Sequence, residues 1–298
     1  MTIAPARPPV GEPAAVQRAE SRPPVSQDGQ SSALLSFNRP SRAPRLDFSG
    51  ALYSEWVKLR SLRSTWLFLG LLVVVMTVIN VTLFVFYPVS DSSATGGLAV
   101  TSTARTVAQV DIVFCVILAT LLSTSEFSSG LIYTTLNAVP RRGLLVGAKA
   151  VLITVVTFVA TAIGTVLSAV FGFLILPARG CDQTWVSSDF RILVGGCLYV
   201  TVMALISLFL GILLRSSVAV IAIVMGLIWI LPSIVGLVGD TVVGEWVLRL
   251  LPGVAGEQVF AVTPEVATGG AWGGFGILLG YLVVVAVAAC AAFRRRDI

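Results

Sequence analysis

Residues Trp66 to Phe86 read WLFLGLLVVVMTVINVTLFVF, 21 residues without a charged side chain. An α-helix rises about 1.5 Å per residue, so a run of this length crosses the hydrocarbon core of a bilayer, which is about 30 Å thick. Tyr87 and Pro88 follow; aromatic residues are enriched at membrane interfaces, and proline stops a helix. The stretch predicts a transmembrane helix.

Five further apolar segments have the same character. They are residues 107–122, 144–176, 192–214, 218–238 and 272–293. The run 144–176 is too long for one crossing, so we expect its first turns, around Lys149, to extend into the cytoplasm. Only the polar turn at 215–217 separates the next two segments, which predicts a helical hairpin. The fold class predicted is therefore an all-α integral membrane protein with six transmembrane helices.

The composition supports a bilayer environment. The 298 residues are 56% hydrophobic and 12% charged, with a mean hydropathy of +0.93. Soluble globular chains carry about twice that share of charged residues. The net charge of +5 arises from cations that flank the apolar segments and do not cluster with aromatic residues in a polar domain. We therefore expect contact with a membrane surface and no nucleic-acid partner.

The first 45 residues differ from the rest of the chain. They hold 8 of the 14 prolines, together with many Ser, Gln, Ala and Arg residues. Such a segment cannot bury enough apolar area to fold, so residues 1–45 are predicted to form a disordered cytoplasmic tail. Residues 46–298 form the predicted six-helix transmembrane domain.

Residues 46–63, before the first span, have the pattern of an interfacial amphipathic helix. Apolar residues recur at helical spacing at Phe48, Leu52, Trp56 and Leu59, and Glu55 interrupts their stripe. Cations beside aromatic residues suit anionic lipid head groups. The residues assigned to this helix's lipid contact are Glu55, Trp56, Lys58, Arg60 and Arg63. A solvated charged helix is the alternative.

The distribution of Lys and Arg predicts the orientation. With the N-terminus inside, 16 of the 20 basic residues lie on the cytoplasmic side, against 4 outside. Both termini are thus expected in the cytoplasm, in a multi-pass plasma-membrane protein. Cys181 then lies outside, where an impermeant thiol reagent should label it. The longest external segment, 239–270, contains Glu245 to Pro252, which predicts a short helix that dips into the outer leaflet and ends at Pro-Gly.

The sequence lacks the residues that most enzyme active sites use. The chain has no histidine, and neither of its two lysines lies in a phosphate-binding Gly-Lys-Ser/Thr context. We expect no enzyme activity, no cofactor and no metal site. The spans contain one carboxylate, Asp111, about one turn inside the predicted outer end of the second helix. Asp111 is compatible both with a hydrated position at the membrane interface and with binding of a coupling ion. The same two roles are compatible with Asn80 in the first span.

Small residues recur at positions where helices can approach closely. Gly164, Ser168 and Gly172 follow one face of the third span, and Gly276 and Gly280 follow one face of the last. We expect both sets to pack within the molecule. Pro232 is expected to kink the fifth span.

The polar segment 123–143 joins the second and third spans. Ser125 and Glu126 can start a short helix that carries Phe127, Leu131 and Ile132, and residues 139–142 would end it. A surface helix that lies on lipid and a helix that receives force from a cytoplasmic partner are both compatible with this pattern.

Two segments resemble the type-2 ABC export permeases of high-GC Gram-positive bacteria: SEWVKLRSLRSTW at 54–66, and EFSSG at 126–130 through VPRR at 139–142. The first is similar to that family's signature before its first span, and the second to its cytoplasmic loop. The resemblance implies a permease that dimerises with a second copy or homologue and binds two ATPase subunits. The residues it implies for the ATPase-coupling loop are Glu126, Phe127, Gly130, Leu131, Arg141 and Arg142.

The expected function is therefore the membrane-spanning subunit of an ATP-driven exporter. Two alternatives remain open at this point. One is a non-transporting six-helix membrane protein, such as an immunity factor or a sensor. The other is a secondary carrier driven by an ion gradient.

Overall fold

A computed structural model describes residues 48–86, 97–128, 142–181, 184–238, 241–266 and 269–295 of the chain. These residues are helical with connecting turns, and no strand occurs among them. Six of the helices are long and apolar enough to cross a membrane. The predicted fold class, an all-α membrane protein with six transmembrane helices, is confirmed. The predicted tail, residues 1–45, lies outside the described residues.

The described helices are numbered in chain order. They are α1 (Phe48–Ser61), α2 (Arg63–Phe86), α3 (Leu98–Thr106), α4 (Ile112–Ser128), α5 (Arg142–Ala178), α6 (Ser187–Leu214), α7 (Ser217–Met225), α8 (Leu231–Val238), α9 (Val242–Leu250), α10 (Pro252–Glu257) and α11 (Gly270–Arg295). A π-helical turn, Val107–Asp111, joins α3 to α4, and another, Gly226–Ile230, joins α7 to α8.

The spans alternate in direction, so the bundle has two ends. The end at which α2 starts and α4 finishes is called here the Glu55 end. The opposite end, at which α2 and α5 finish, is called the Arg179 end. The spans are Arg63–Phe86, Ala99–Thr124, Gly143–Ala178, Ser187–Leu214, Ser217–Leu237 and Gly270–Ala292.

The second span starts at Ala99, well before the predicted start at Val107. The added turns are rich in Thr and Ser, which the sequence pattern treats as polar. Their hydroxyls bond to carbonyl oxygens of the same helix: Thr103 Oγ1 donates to Ala99 O at 2.6 Å, and Thr106 Oγ1 to Ser102 O at 2.9 Å. Because these polar groups are satisfied within the helix, the helix continues through them.

The fourth span, α6, forms the centre of the bundle. Tyr199 and Leu208, which lie on opposite faces of it, are both fully buried. A helix that is apolar all round is typical of such a position. The fifth and sixth spans are different, since only 17% and 11% of their most apolar windows are buried inside the protein, against 67% for α6. Their outer faces are left for lipid or for another protein.

The first and third spans pack through small residues. A Cβ at Gly164 would lie 2.8 Å from Met76 Sδ, and one at Gly172 would lie 2.7 Å from the Ala99 Cβ. These glycines let α2 and α3 approach the backbone of α5 closely, so packing at this face of the third span is confirmed. The same prediction is wrong for the last span, because no described atom comes within 4 Å of a Cβ at Gly276 or Gly280.

Pro232 lies just after the π-helical turn of the fifth span. Proline lacks an N–H group and its ring conflicts with the carbonyl four residues earlier, here that of Ile228. The wider turn Gly226–Ile230 contains that carbonyl, so the helix accommodates the proline by a π-helical turn. The hairpin predicted before this span is confirmed: Arg215 ends α6 with φ 56°, and Ser216 Oγ accepts from Ala219 N.

The predicted helix at Glu245 to Pro252 is present as α9, and it ends at Leu250, just before Pro-Gly, as predicted. Leu251 is extended, and Pro252 is the first residue of α10. Proline suits that position because its missing N–H would be unpaired there anyway. Gly253 and Gly256 are buried, the first against the backbone of Ile228 and the second against the ring of Tyr199. Thus α9 has no buried residue, while α10 docks on the spans.

Candidate functional site

The buried face of α1 differs from the predicted apolar stripe. Ala51, Glu55 and Leu59 are buried, whereas Phe48 and Trp56 are 42% and 37% exposed. Glu55 therefore does not interrupt the buried face but lies at its centre. Sequence periodicity missed this because it counts a carboxylate as a solvent-facing residue, and the cations that pair with it come partly from a distant segment.

Glu55 forms two ion pairs. Its Oε1 lies 2.7 Å from Lys58 Nζ, and its Oε2 lies 3.0 Å from Lys149 Nζ. Lys149 Nζ also donates a hydrogen bond to Leu122 O at 3.2 Å. A buried ion pair offsets its desolvation cost only when such additional bonds satisfy the charged groups. The Glu55–Lys149 pair therefore connects α1, α4 and α5 at the Glu55 end.

The polar segment between the second and third spans begins and ends near this contact. Leu122 precedes the segment and Lys149 follows it. Glu126 and Phe127 lie in the last turns of α4 and Arg142 is the first residue of α5, but their side chains are not described. Gly130, Leu131 and Arg141 lie outside the described residues. The coupling role of all six residues therefore stays a prediction.

The other residues assigned to the interfacial helix lie on its surface. Trp56, Lys58 and Arg60 are exposed on α1, and Arg63 is exposed at the start of α2. The Trp56 ring packs edge-on against that of Trp66, with centroids 6.3 Å apart. Exposed cations beside paired tryptophans give this surface the residue types that favour a lipid interface.

A polar cluster lies among the first three spans. Asn80 Nδ2 donates to Met76 O at 3.1 Å and to Ser168 Oγ at 3.4 Å, and Asn80 Oδ1 accepts from Thr106 Oγ1 at 3.2 Å. All three side chains are buried. The Asn80 side chain thus links α2, α3 and α5 through its hydrogen bonds.

Asp111 occupies the middle of the second span. It lies twelve residues after Ala99 and thirteen before Thr124, about 18 Å from either end of the helix. The expectation that it lies one turn inside the outer end is wrong, because the span starts earlier than its apolar residues suggest. Asp111 is fully buried, and neither carboxylate oxygen has a hydrogen-bond partner among the described residues.

Two thiols lie in the neighbourhood of this carboxylate. Cys115 lies one turn further along α4, and Cys197 of α6 is within electrostatic range of Asp111. Thr165 Oγ1 lies 3.4 Å from Cys197 Sγ. No group of three acidic or cysteine side chains among the described residues is arranged to hold a metal ion.

A cleft of about 920 Å³ opens towards the Arg179 end. Its walls come from the end of α2, from α3 and the following π-helical turn, and from the end of α10 with the residues after it. The residues that line the cleft are Leu83, Phe84, Thr101, Ser102, Arg105, Thr106, Ala108, Gln109, Glu257, Gln258, Phe260, Ala261, Val262 and Thr263. Ligand pockets of small molecules have volumes of roughly 300–1,000 Å³, so the cleft is of ligand size.

Opposite charges line this cleft from two different elements. Arg105 lies on α3 and Glu257 at the end of α10, and both are exposed. These two described side chains do not reach ion-pair distance of each other. Desolvation by the surrounding protein raises the pKa of Glu257 above its ordinary value, although the Arg105 charge offsets part of that effect. Sequence reasoning missed the site because residues 105 and 257 meet only through the tertiary fold.

The other arginines at the Arg179 end fix the protein backbone. Arg179 donates to Phe84 O at 2.7 Å, and Arg191 donates to Val259 O at 2.7 Å and to Ala261 O at 2.9 Å. The bonds from Arg191 hold one wall of the cleft in place. They are charge-assisted, which makes them roughly twice as strong as neutral hydrogen bonds.

Cys181 follows α5 at the same end but is fully buried. It packs with Phe84, Ala99 and Leu176. The expectation that a thiol reagent labels it in the folded protein is therefore wrong, whichever side of the membrane this end faces. The sequence placed the residue correctly in a connection between spans, but its burial depends on neighbours that are distant in sequence.

A family of proteins of unknown function, DUF2705, matches residues 83–298, well over half of the chain. The chain belongs to this family. Comparison with curated proteins finds no match. The region shared with DUF2705 contains Arg105, Asp111, Lys149 and Glu257, whereas Glu55 lies before it. In this DUF2705 protein, α1 and most of α2 lie outside the matched region. The ion pair of Glu55 with Lys149 therefore joins α1 to a helix inside that region.

Proposed function

We propose that the protein is the membrane-spanning permease subunit of an ATP-driven exporter in the plasma membrane. It acts with a separate ATPase subunit and a second permease copy or homologue, and both termini lie in the cytoplasm. The observation that carries this proposal is the contact of Glu55 with Lys149. That contact joins the segment 54–66, which resembles the opening signature of export permeases, to Lys149, seven residues after the end of the second such segment, 126–142.

The contact has the mechanical property that a coupling element needs. A loop transmits a partner's movement only if the helices at its ends respond together. Lys149 binds the backbone of Leu122 before the loop and the carboxylate of Glu55 on α1, so one side chain connects the helices on both sides of the loop with α1. A push on the loop would then move the second and third spans as one unit.

The charge distribution supports the proposed orientation. The exposed cations of α1 and α2, Lys58, Arg60 and Arg63, lie at the Glu55 end, as expected of a cytoplasmic face. The cleft opens at the other end. An exporter needs such separate regions, with energy supplied from one side and substrate released at the other.

The test is to co-express the protein with an ABC ATPase subunit, taken from beside its gene where one is encoded there, and to measure substrate-dependent ATP hydrolysis in liposomes. Phe127→Ala combined with Leu131→Ala removes two apolar side chains of the loop. Loss of a buried aromatic anchor costs roughly 2 kcal/mol or more, about thirtyfold in affinity. The double variant should lose capture of the ATPase and coupled hydrolysis.

The matched control is Phe86→Ala with Leu237→Ala, which removes the same side-chain types from exposed positions at the Arg179 end. This control should retain capture and hydrolysis. Normal coupling by the loop variant, or an equal loss in the control, would refute the docking role of the loop. The permease without ATPase should show no hydrolysis of its own, because it lacks a phosphate-binding lysine context.

A secondary carrier is the second candidate, and Asp111 favours it. A buried carboxylate at mid-span costs free energy in a bilayer and is typical of ion and proton pathways, and Asp111 has no hydrogen-bond partner among the described residues. The two functions differ in their energy source. Transport by proteoliposomes that contain the permease alone, driven by a proton or sodium gradient, would establish the carrier and exclude an obligatory ATPase.

A further inference from the structure

The cleft at the Arg179 end presents a positive and a negative side chain to the same cavity. We propose that it binds a phospholipid-like amphiphile whose head group is zwitterionic, with the anionic part at Arg105 and the cationic part at Glu257. The inference concerns binding alone and does not depend on an ATPase or on the direction of transport.

The charges determine the class of head group. Arg105 and Glu257 line the cleft together but stay beyond ion-pair distance of each other. A ligand with both charges can therefore neutralise both side chains at once, whereas an anionic ligand meets Arg105 favourably and Glu257 unfavourably. Arg presents a planar fork of N–H donors that matches phosphate, so the phosphate of the ligand belongs at Arg105.

The fold holds the polar floor of the cleft in position. Thr106 Oγ1 is fixed by Asn80 Oδ1, and Gln258 Oε1 accepts from Glu265 N at 2.9 Å. Arg191 holds the carbonyls of Val259 and Ala261. A cavity formed in advance loses little free energy to ordering when it binds, so it selects a ligand by shape and charge.

The size and the edge of the cleft indicate where the acyl chains lie. A volume of about 920 Å³ suits a head group with its glycerol but not two long chains. Leu83 and Val262 line the cleft and are 44% and 59% exposed. The apolar edge they form with Phe84 and Phe260 lets the chains leave the cleft beside α2 and remain in the surrounding lipid.

The experiment uses the purified full-length protein in micelles of a nonionic detergent, with three short-chain probes of equal acyl length. They are dihexanoyl phosphatidylcholine (zwitterionic), dihexanoyl phosphatidylglycerol (anionic) and dihexanoyl glycerol (uncharged). Microscale thermophoresis gives the dissociation constants. We expect phosphatidylcholine to bind about tenfold more tightly than either other probe, which corresponds to about 1.4 kcal/mol. Free phosphocholine, tested alongside, should bind more weakly than the lipid because it lacks contact with the apolar edge.

Two variants assign the charges. Arg105→Gln should weaken phosphatidylcholine and phosphatidylglycerol binding alike, about tenfold. Glu257→Gln should weaken phosphatidylcholine binding but leave phosphatidylglycerol binding equal or stronger. The matched controls, Arg60→Gln and Glu245→Gln, remove exposed charges that do not line the cleft and should change neither affinity.

Equal affinities of the three lipids for the wild-type protein would overturn the proposal without any variant. So would cleft variants that behave like the controls, or a Glu257→Gln variant that loses both charged lipids equally. If a variant unfolds, Arg105→Lys and Glu257→Asp keep the charges and should retain the wild-type order of lipids.

Discussion

Glu55 Oε2 lies 3.0 Å from Lys149 Nζ, although 94 positions separate the two residues in sequence. The Glu55 and Lys149 side chains are only 4% and 10% exposed, so the pair forms in a largely desolvated place. It connects the amphipathic helix before the first span to the start of the third span.

Replacing only one residue of the Glu55–Lys149 ion pair should lower the free energy of unfolding more than replacing both. Glu55→Gln leaves Lys149 without its carboxylate and should lower the free energy of unfolding by about 3 kcal/mol. Lys149→Met should cost about 2 kcal/mol, since Lys58 still neutralises Glu55. Lys58→Met, the control, removes a half-exposed ammonium and should cost under about 1 kcal/mol.

Denaturant unfolding in micelles measures these values, and the double variant Glu55→Gln with Lys149→Met completes the cycle. We expect it to be more stable than the sum of the single effects implies. Additive losses would show that the two residues do not interact in the folded protein.

The two glycines of the third span should differ in their tolerance of a methyl group. At Gly172 the new Cβ would meet the Ala99 Cβ and the Phe84 ring, which are held in a packed cluster, so Gly172→Ala should destabilise the protein by about 1–3 kcal/mol. At Gly164 the contact is with the flexible end of Met76, which can move, so the cost should be smaller.

Gly276→Ala and Gly280→Ala are the matched controls, because nothing described lies within 4 Å of the added atom. Thermal unfolding of monomeric protein in micelles should be unchanged by them. A decrease in thermal stability for Gly276→Ala as large as that for Gly172→Ala would contradict this packing of the third span.

Thiol labelling tests the proposed orientation. An impermeant maleimide should label wild-type Cys181 in intact cells slowly or not at all, since the thiol is buried. Thr184→Cys in a Cys181→Ser background places a thiol at an exposed position of the same connection and should be labelled rapidly. If the new cysteine reacts only after lysis, this end faces the cytoplasm and the proposed orientation is reversed.

Asp111→Asn separates the two candidate functions. The substitution keeps the shape of the side chain and removes its ability to ionise. If an ATPase drives the protein, ATP-dependent transport should persist within about threefold, because the Asp111 carboxylate makes no hydrogen bond or ion pair with the residues that the structure describes. If a gradient drives it, gradient-dependent transport should fall by more than about a hundredfold.

Reactivity with a hydrophobic carbodiimide gives a second measurement at the same residue. This reagent modifies carboxyl groups that hold a proton in apolar surroundings. Mass spectrometry should find one adduct on the wild-type spans and none on Asp111→Asn. An adduct that remains in the variant would place the reactive carboxyl elsewhere.

The sequence predicted correctly those features that depend on residues adjacent in the chain. Each span is a continuous apolar run, and the hairpin turn at Arg215 consists of adjacent polar residues, so hydropathy was sufficient. The start of the second span was wrong by several residues because Thr103 and Thr106 satisfy their hydroxyls within the helix. That error placed Asp111 near the end of the span instead of in its middle and concealed a buried carboxylate at mid-span.

The sequence by itself determined that the chain crosses a membrane six times, because burial in lipid requires only that each helix be apolar and long enough. It also identified the two segments that resemble export permeases. The tertiary structure decided which polar residues meet: Glu55 with Lys149, and Arg105 with Glu257 across one cleft. These pairings depend on how antiparallel helices of different lengths align side by side, and the hydropathy of a single segment does not encode that alignment.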